Sequence, residues 1–180
     1  MVGRGEVFVV TIELLTEENF TEASLDSYER RQEVKRVYRK QDGAYVLIEQ
    51  PYVEDWDLAR RRQVARNIQG DDYITYIARE DNAVVGFIGL IRKPVGDRMI
   101  LDMMQVSARY RGMGIGRKLF EIGKQEALKA GAKELYISAC SSEETIAFYR
   151  AMGAEITDKP SRQIAEDEPF DVQMTCKVNP

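Results

Sequence analysis

Apolar and polar positions along the chain change period several times, and each change marks an element. Val7-Phe8-Val9-Val10-Thr11-Ile12 is a β-branched run suited to a first strand, and Thr16-Glu17-Glu18-Asn19 has the polar start of a helix. Residues 34–39 and 45–49 alternate apolar and polar side chains around Asp42-Gly43, the strongest short-range hairpin signal in the chain. Asp55-Trp56-Asp57 precedes a stretch with apolar residues at 58, 64, 65 and 68, which predicts a helix capped by an aspartate and ended by Gly70. Residues 73–78 and 84–90 flank Asp81-Asn82 and read as two antiparallel strands. Residues 99–106 form the next strand after a turn at Pro94 and Gly96.

A long helix follows, running to about Ala130, with Gly131 as its stop. On a helical wheel Ile115, Leu119, Phe120, Ile122, Gly123, Ala127 and Ala130 share one broad face, which predicts packing on a sheet. Glu126 falls inside that face and Leu128 outside it, two exceptions the pattern does not explain. Strand 134–139, helix 143–152, strand 154–158 and strand 171–178 complete the order, with Pro160 and Pro169 bracketing a polar loop. There is no internal repeat, and 180 residues make one ordinary domain over 1–180.

Between strand 99–106 and the long helix lies Arg111-Gly112-Met113-Gly114-Ile115-Gly116-Arg117. Glycines there let the backbone turn several N–H groups toward one point, and the helix N-terminus adds free donors and positive dipole. The combination suits a phosphate. A dinucleotide fingerprint counted from Gly112 needs a glycine where Arg117 stands, and a Walker loop needs glycine at 117 and a hydroxyl where Leu119 stands. Spacing excludes both.

The loop instead matches, at every fixed position, the Arg/Gln-x-x-Gly-x-Gly/Ala motif of the GNAT superfamily of N-acetyltransferases, which this chain resembles. Residues 99–106 resemble that family's fourth strand, and residues 135–139 its fifth. Thr145-Ile146-Ala147-Phe148-Tyr149-Arg150-Ala151-Met152-Gly153 resembles its terminal Phe-Tyr-x-x-x-Gly helix. The match is firm over residues 73–156. The resemblance implies an α/β (α+β) fold with a mixed, mostly antiparallel central sheet, a splayed parallel strand pair and flanking helices, here with an extra N-terminal β-hairpin. It also implies acetyl-CoA as cosubstrate and a primary amine of a small molecule or protein as acceptor, attacked directly in a ternary complex. A catalytically silent CoA-binding module for sensing or interaction is the alternative.

Carried over residue by residue, the resemblance gives the pyrophosphate to the main chain of Arg111, Gly112, Met113, Gly114, Ile115, Gly116 and Arg117, with the two arginines adding charge. Met104, Gln105 and Val106 would hold the pantetheine arm through main-chain groups, and an N–H near Met104 would polarise the thioester carbonyl. Tyr149 matches the tyrosine that protonates the leaving thiolate. Asp102 stands where many members carry a glutamate, and it is the only acid in its apolar stretch, which makes it a candidate base. Ser142 takes the place of the family's usual asparagine, leaving a contact to the pantetheine amide or a helix cap.

Composition and charge narrow the rest. A net charge of −4 argues against a nucleic-acid partner and mildly favours cationic substrates. The runs Glu29-Arg30-Arg31 and Arg60-Arg61-Arg62 read as solvated faces. No apolar run reaches the roughly 18 residues of a membrane span, and Met1-Val2-Gly3-Arg4-Gly5-Glu6 lacks a signal peptide's apolar core, so a cytoplasmic protein is expected. Cys140 and Cys176 are too few for a disulfide framework, and a chain without histidine has no Cys/His spacing for a metal. The same lack leaves Cys140 without an obvious activating base, so an inert thiol is expected there. Acceptor choice falls to the divergent residues 20–70, where Tyr52, Glu54, Asp55, Trp56 and Asp57 combine aromatic faces with carboxylates, and to the loop 158–170. Nothing in the pattern sets oligomeric state, though the resemblance makes a homodimer plausible.

Overall fold

The structure, a computed structural model, describes residues 9–178. Val7 and Phe8 of the anticipated first strand lie outside them; β1 itself is Val10–Leu14. The strand periods translate into β2 (Gln32–Gln41), β3 (Ala44–Glu54), β4 (Tyr73–Glu80), β5 (Ala83–Ile91) and β6 (Arg98–Val106). Later come β7 (Glu134–Ala139), β8 (Glu155–Ile156) and β9 (Val172–Lys177). The helices are α1 (Leu58–Ile68), α2 (Ile115–Lys129), α3 (Glu143–Ala151) and α4 (Arg162–Asp167). Among the described residues no helix is long and apolar enough to cross a membrane.

Seven strands form one sheet in the order β1-β4-β5-β6-β7-β9-β8, while β2 and β3 pair as a separate hairpin. All neighbours are antiparallel except β6 and β7. The hairpin follows from Asp42 and Gly43, which both adopt positive φ (50° and 85°), as a two-residue turn matched to strand twist requires. Strand alternation sends Ile88 and Leu90 of β5 toward α2, and Phe87 toward α1 on the opposite face. α2 approaches closely at Gly123, where a Cβ would stand 2.7 Å from Ile88 Cδ1. Glu126 sits on the apolar face of α2 because Tyr76 donates its hydroxyl to the carboxylate at 3.0 Å and Lys129 binds the same oxygen at 2.7 Å. Leu128 is exposed, and no contact explains it.

Three sequence expectations need correction. Thr16–Asn19 is a turn, closed by the Asn19 side chain accepting from the Thr16 N–H, and the only helical segment nearby is a short 3₁₀ turn at Glu22–Leu25. The polar start is there, but no apolar face follows to pack a longer helix. The loop between Pro160 and Pro169 contains α4, whose 6 residues are too few for a periodicity to be read. The basic runs are braces as well as surface. Arg30 is only 3% exposed and pairs with Glu54 at 3.0 Å, Arg62 pairs with Asp26 at 2.8 Å, and Arg61 donates to the Tyr28 carbonyl at 3.1 Å.

Two irregularities position the site. Gly89 pairs with Met103 and Leu90 with Leu101, so Asp102 is the extra residue of a bulge that bends β6. β6 then parts from β7: parallel pairing holds only from Arg98 with Glu134 to Leu101 with Ile137, while β7 stays with β9 as far as Ala139 and Val172. The hairpin spans the mouth of this wedge. The Tyr38 N–H donates to the Ser141 carbonyl at 2.8 Å, and Arg36 holds Glu143 through two bonds of 2.8 and 2.6 Å. On the other bank the Ala108 N–H donates to the Glu29 carbonyl at 2.8 Å.

Candidate active site

The wedge opens into a cleft of about 950 Å³, at the upper end of the usual size for small-molecule sites. Its first wall is main chain. Ser107 N–H donates to the Val85 carbonyl, and the register pairs Gln105 with Phe87 and Met103 with Gly89. Antiparallel alternation therefore turns the N–H and C=O groups of 103 and 105 toward β5, and those of Met104 and Val106 toward the space β7 has vacated. Of the three strand residues picked out by sequence, Met104 and Val106 present free main-chain donors to the cleft, and Gln105 spends its own on the sheet.

The second wall is the glycine loop. Gly112 and Gly114 both hold φ near +80° (78° and 80°), and a Cβ at either would meet nothing within 4 Å, so the space above them is open. Gly114 is the N-cap of α2, and the first-turn N–H groups face outward from it. Gly116 is packed closely: a Cβ there would stand 3.3 Å from the Phe148 ring, which would have to give slightly to admit it. Arg111 does not offer its guanidinium as expected. Its Nε donates to the Val106 carbonyl at 3.0 Å, and its Nη atoms donate to the carbonyls of Arg31 and Arg30 at 3.0 and 3.3 Å, which fastens the loop to the segment that leads into β2. Burial and the neighbouring Arg30 charge lower its pKa. Arg117 is exposed at the cleft and makes no ion pair among the described residues. Met113 is exposed but does not line the cleft.

Across from the loop stands α3. Tyr149 is 6% exposed, packs its ring against Phe120 and Phe148, and lines the cleft with a hydroxyl that has no hydrogen-bond partner among the described residues. Burial, then the nearby Cys140 and Asp171, raise its pKa, so the proton stays on the phenol at neutral pH. Ser142 is buried behind the wall. It caps α3 by accepting from the Thr145 N–H at 3.3 Å, donates to Thr145 Oγ1 at 2.8 Å and accepts from Gln32 Nε2 at 3.2 Å, while Thr145 itself lines the cleft. Asp102, on the bulge, is exposed at the cleft edge and accepts the Tyr73 hydroxyl at 2.7 Å. Burial, then this bond, raise the Tyr73 pKa.

Free main-chain donors at a strand splay, beside a glycine-capped helix N-terminus, coincide with a sequence match. Residues 41–154, well over half of the chain, match the family described as the Acetyltransferase (GNAT) family. The chain belongs to this family. Its fold agrees with GNAT structures. A nourseothricin acetyltransferase has a TM-score of 0.72 at 16% identity, over 94% of this chain and 99% of its own. A protein assigned as a streptothricin acetyltransferase of Bacillus anthracis, solved with acetyl coenzyme A, has 0.70 at 18%, over 95% and 99%. The ribosomal-protein-S18-alanine N-acetyltransferase of Escherichia coli has 0.61 at 19%, over 96% of both chains. No curated protein matches the sequence.

The remaining wall carries part of the aromatic and acidic cluster of residues 52–57. Trp56 lines the cleft, but Arg30 and Arg60 already cover its ring at 5.6 and 5.9 Å and Tyr28 stacks on it at 6.2 Å. Asp55 accepts from the Trp56 N–H at 2.8 Å and Asp57 caps α1 by accepting from Arg60 N–H at 2.7 Å, and neither lines the cleft. Glu54 faces the cleft in its pair with Arg30. Tyr52 contacts the Cys140 sulfur at 3.9 Å, and burial with that thiol pushes the tyrosine up to about 12. Asp171 and Glu168, which no sequence pattern singles out, line the same end. Their only signal is an acid pair around Pro169-Phe170 just ahead of the last strand.

Glu54→Ala leaves the Arg30 guanidinium buried with one partner fewer. The expected loss is about 1–3 kcal/mol of stability, the scale of a hydrogen bond to a charged group. A melting curve checks it. The milder Glu54→Gln, which keeps the shape, is expected to raise KM for a cationic acceptor; an unchanged KM removes Glu54 from the acceptor site.

Proposed function

We propose that this GNAT protein is an acetyl-CoA-dependent N-acetyltransferase that passes the acetyl group to a primary amine, of a small molecule or a protein, by direct attack in a ternary complex. The observation that carries the reading is the pair of free main-chain N–H groups at Met104 and Val106, set between the glycine loop and a Tyr149 hydroxyl that has no hydrogen-bond partner among the described residues. The open, positive-φ turn at Gly112 and Gly114 suits a pyrophosphate, and the bare strand edge suits an extended amide arm. Acetyl-CoA enters as the second substrate and supplies the activated acetyl group.

The chain's own groups then divide the work. The N–H donors of the 111–117 loop and Arg117 bind phosphate, and Val106 and Met104 fix the arm. The Met104 N–H donates to the carbonyl oxygen as it gains negative charge. An amine acceptor has a pKa near ~10 and arrives protonated, so a base or a proton-accepting water chain must take its proton. Asp102 and Asp171 both line the cleft. Tyr149, held neutral by burial, donates to the departing sulfur. A thiol with pKa near ~8.5 leaves fairly well unaided. Tyr149→Phe is therefore expected to reduce kcat only about tenfold, below the usual roughly 10²–10⁴-fold of general acid catalysis, with little change in CoA affinity.

Initial rates with acetyl-CoA and amine varied together test the reading. Intersecting lines are expected for a ternary complex. Parallel lines, or an acetyl group found on Cys140, would overturn it.

A further inference from the structure

We propose that Asp171 takes the proton from the acceptor's ammonium group and that Asp102 does not. The assignment rests on the N-acetyltransferase reading above. Asp171 immediately precedes β9, whose Val172 pairs with Ala139, the last paired residue of β7. That places it where β7 has lost β6, beside Cys140 and on the same cleft as Tyr149. Its charge is felt at the Tyr149 phenol. Tyr149, a residue more than nine-tenths buried that lines the cleft and whose hydroxyl has no partner among the described residues, marks independently where the reacting sulfur is served.

The surroundings of Asp171 are those of a proton acceptor. It is half-buried, and its carboxylate makes no hydrogen bond or ion pair among the described residues. Glu168, from the same loop, and Glu54, from β3, bring negative charge toward it; Arg39, from β2, opposes them. Arg39 is otherwise engaged, donating to the Tyr38 carbonyl, Ser141 Oγ and Gln50 Oε1 at 2.9, 2.5 and 3.3 Å, with its guanidinium over the Phe170 ring. Three carboxylates at one end of the cleft attract a cation; Glu54 is paired with Arg30 and Glu168 is exposed, which leaves the half-buried, unpaired Asp171 to take its proton. Burial first, then Glu168 and Glu54, push Asp171 up to about 6, close to the pH at which a base must work. Asp102, by contrast, is exposed and already accepts the Tyr73 hydroxyl.

Protons and electrons balance. One ammonium proton passes to the Asp171 carboxylate, and the freed nitrogen lone pair forms the N–C bond to the acetyl carbonyl carbon. The C–S bond breaks with its electron pair going to sulfur, which takes the Tyr149 hydroxyl proton. The nitrogen's second proton restores Tyr149, and Asp171 releases its own to water.

The test begins with a panel of amines and peptides; if the wild-type chain acetylates none, the N-acetyltransferase reading itself fails. With an acceptor in hand, kcat/KM is followed against pH for wild type, Asp171→Asn, Asp171→Glu and Asp102→Asn, with CoA binding by calorimetry to show that each is folded. Wild type is expected to be flat above pH about 6 and to fall tenfold per unit below it. Asp171→Asn is expected to lose about 100-fold or more in kcat, together with the acid limb, at unchanged CoA affinity. Asp171→Glu restores the limb, and Asp102→Asn keeps it. An acid limb that survives in Asp171→Asn, or disappears only in Asp102→Asn, overturns the proposal. So does a wild-type profile that climbs with unit slope through pH 9, because the neutral amine would then be the species that binds.

Discussion

Met104→Pro is expected to lower kcat by about 10²–10³-fold, the cost of removing one donor to a developing oxyanion, while free CoA binds with nearly unchanged affinity. The substitution isolates one atom. Proline deletes the N–H at 104, and that N–H is not part of the ladder with β5, whose bonds run through 103, 105 and 107. A proline is tolerated in a strand where its N–H side faces no neighbour, and Met103 before it is already extended, as the residue preceding a proline must be. Steady-state rates beside calorimetry with CoA separate the two effects. A wild-type kcat would mean that the Met104 N–H is not used.

Much of this wedge is legible in the amino-acid sequence. The glycine spacing, the apolar strand before it and Phe148-Tyr149 after it are local patterns, and local patterns survive in sequence. The hairpin is equally plain, since Asp42-Gly43 dictates its turn and the flanking alternation its register. The parts that sequence hides are long-range. Ser142 reads as either a pantetheine contact or a helix cap, and the cap, with Gln32 and Thr145 around the hydroxyl, shows only in the fold. Arg111 reads as a phosphate binder until the carbonyls of Arg30, Arg31 and Val106 are found around it. Both meet residues of the 30–32 segment, far away in sequence. The bulge at Asp102 leaves no local mark either, because an extra residue is defined only against the partner strand. Asp171 stays hidden because strand pairing, not periodicity, brings the loop before β9 to the end of β7.

Gly114→Val carries the second large effect. Gly114 caps α2 at φ 80°, where a β-branched residue is a severe misfit, although a side chain would meet no neighbour. The strain is in the backbone alone, of order 1–2 kcal/mol per residue for an ordinary L-residue and more for valine. Relieving it moves the N–H groups meant for phosphate. CoA affinity is expected to fall by about tenfold or more, with a lowered melting temperature. Gly114→Asn, whose short polar side chain tolerates this region, is expected to lie between the two. Calorimetric titration of the three proteins with CoA gives the order Gly, Asn, Val. Equal affinities would show that the loop does not hold the phosphates.

The most direct measurement of the central claim is an acetyl-transfer screen in which the protein meets isotopically labelled acetyl-CoA and a broad panel of amines and peptides. Products are read by mass spectrometry, and released CoA by its thiol. The account predicts label on an acceptor nitrogen, with one thiol released for each acetyl group transferred. Tight CoA binding with no labelled amine anywhere in the panel would contradict it.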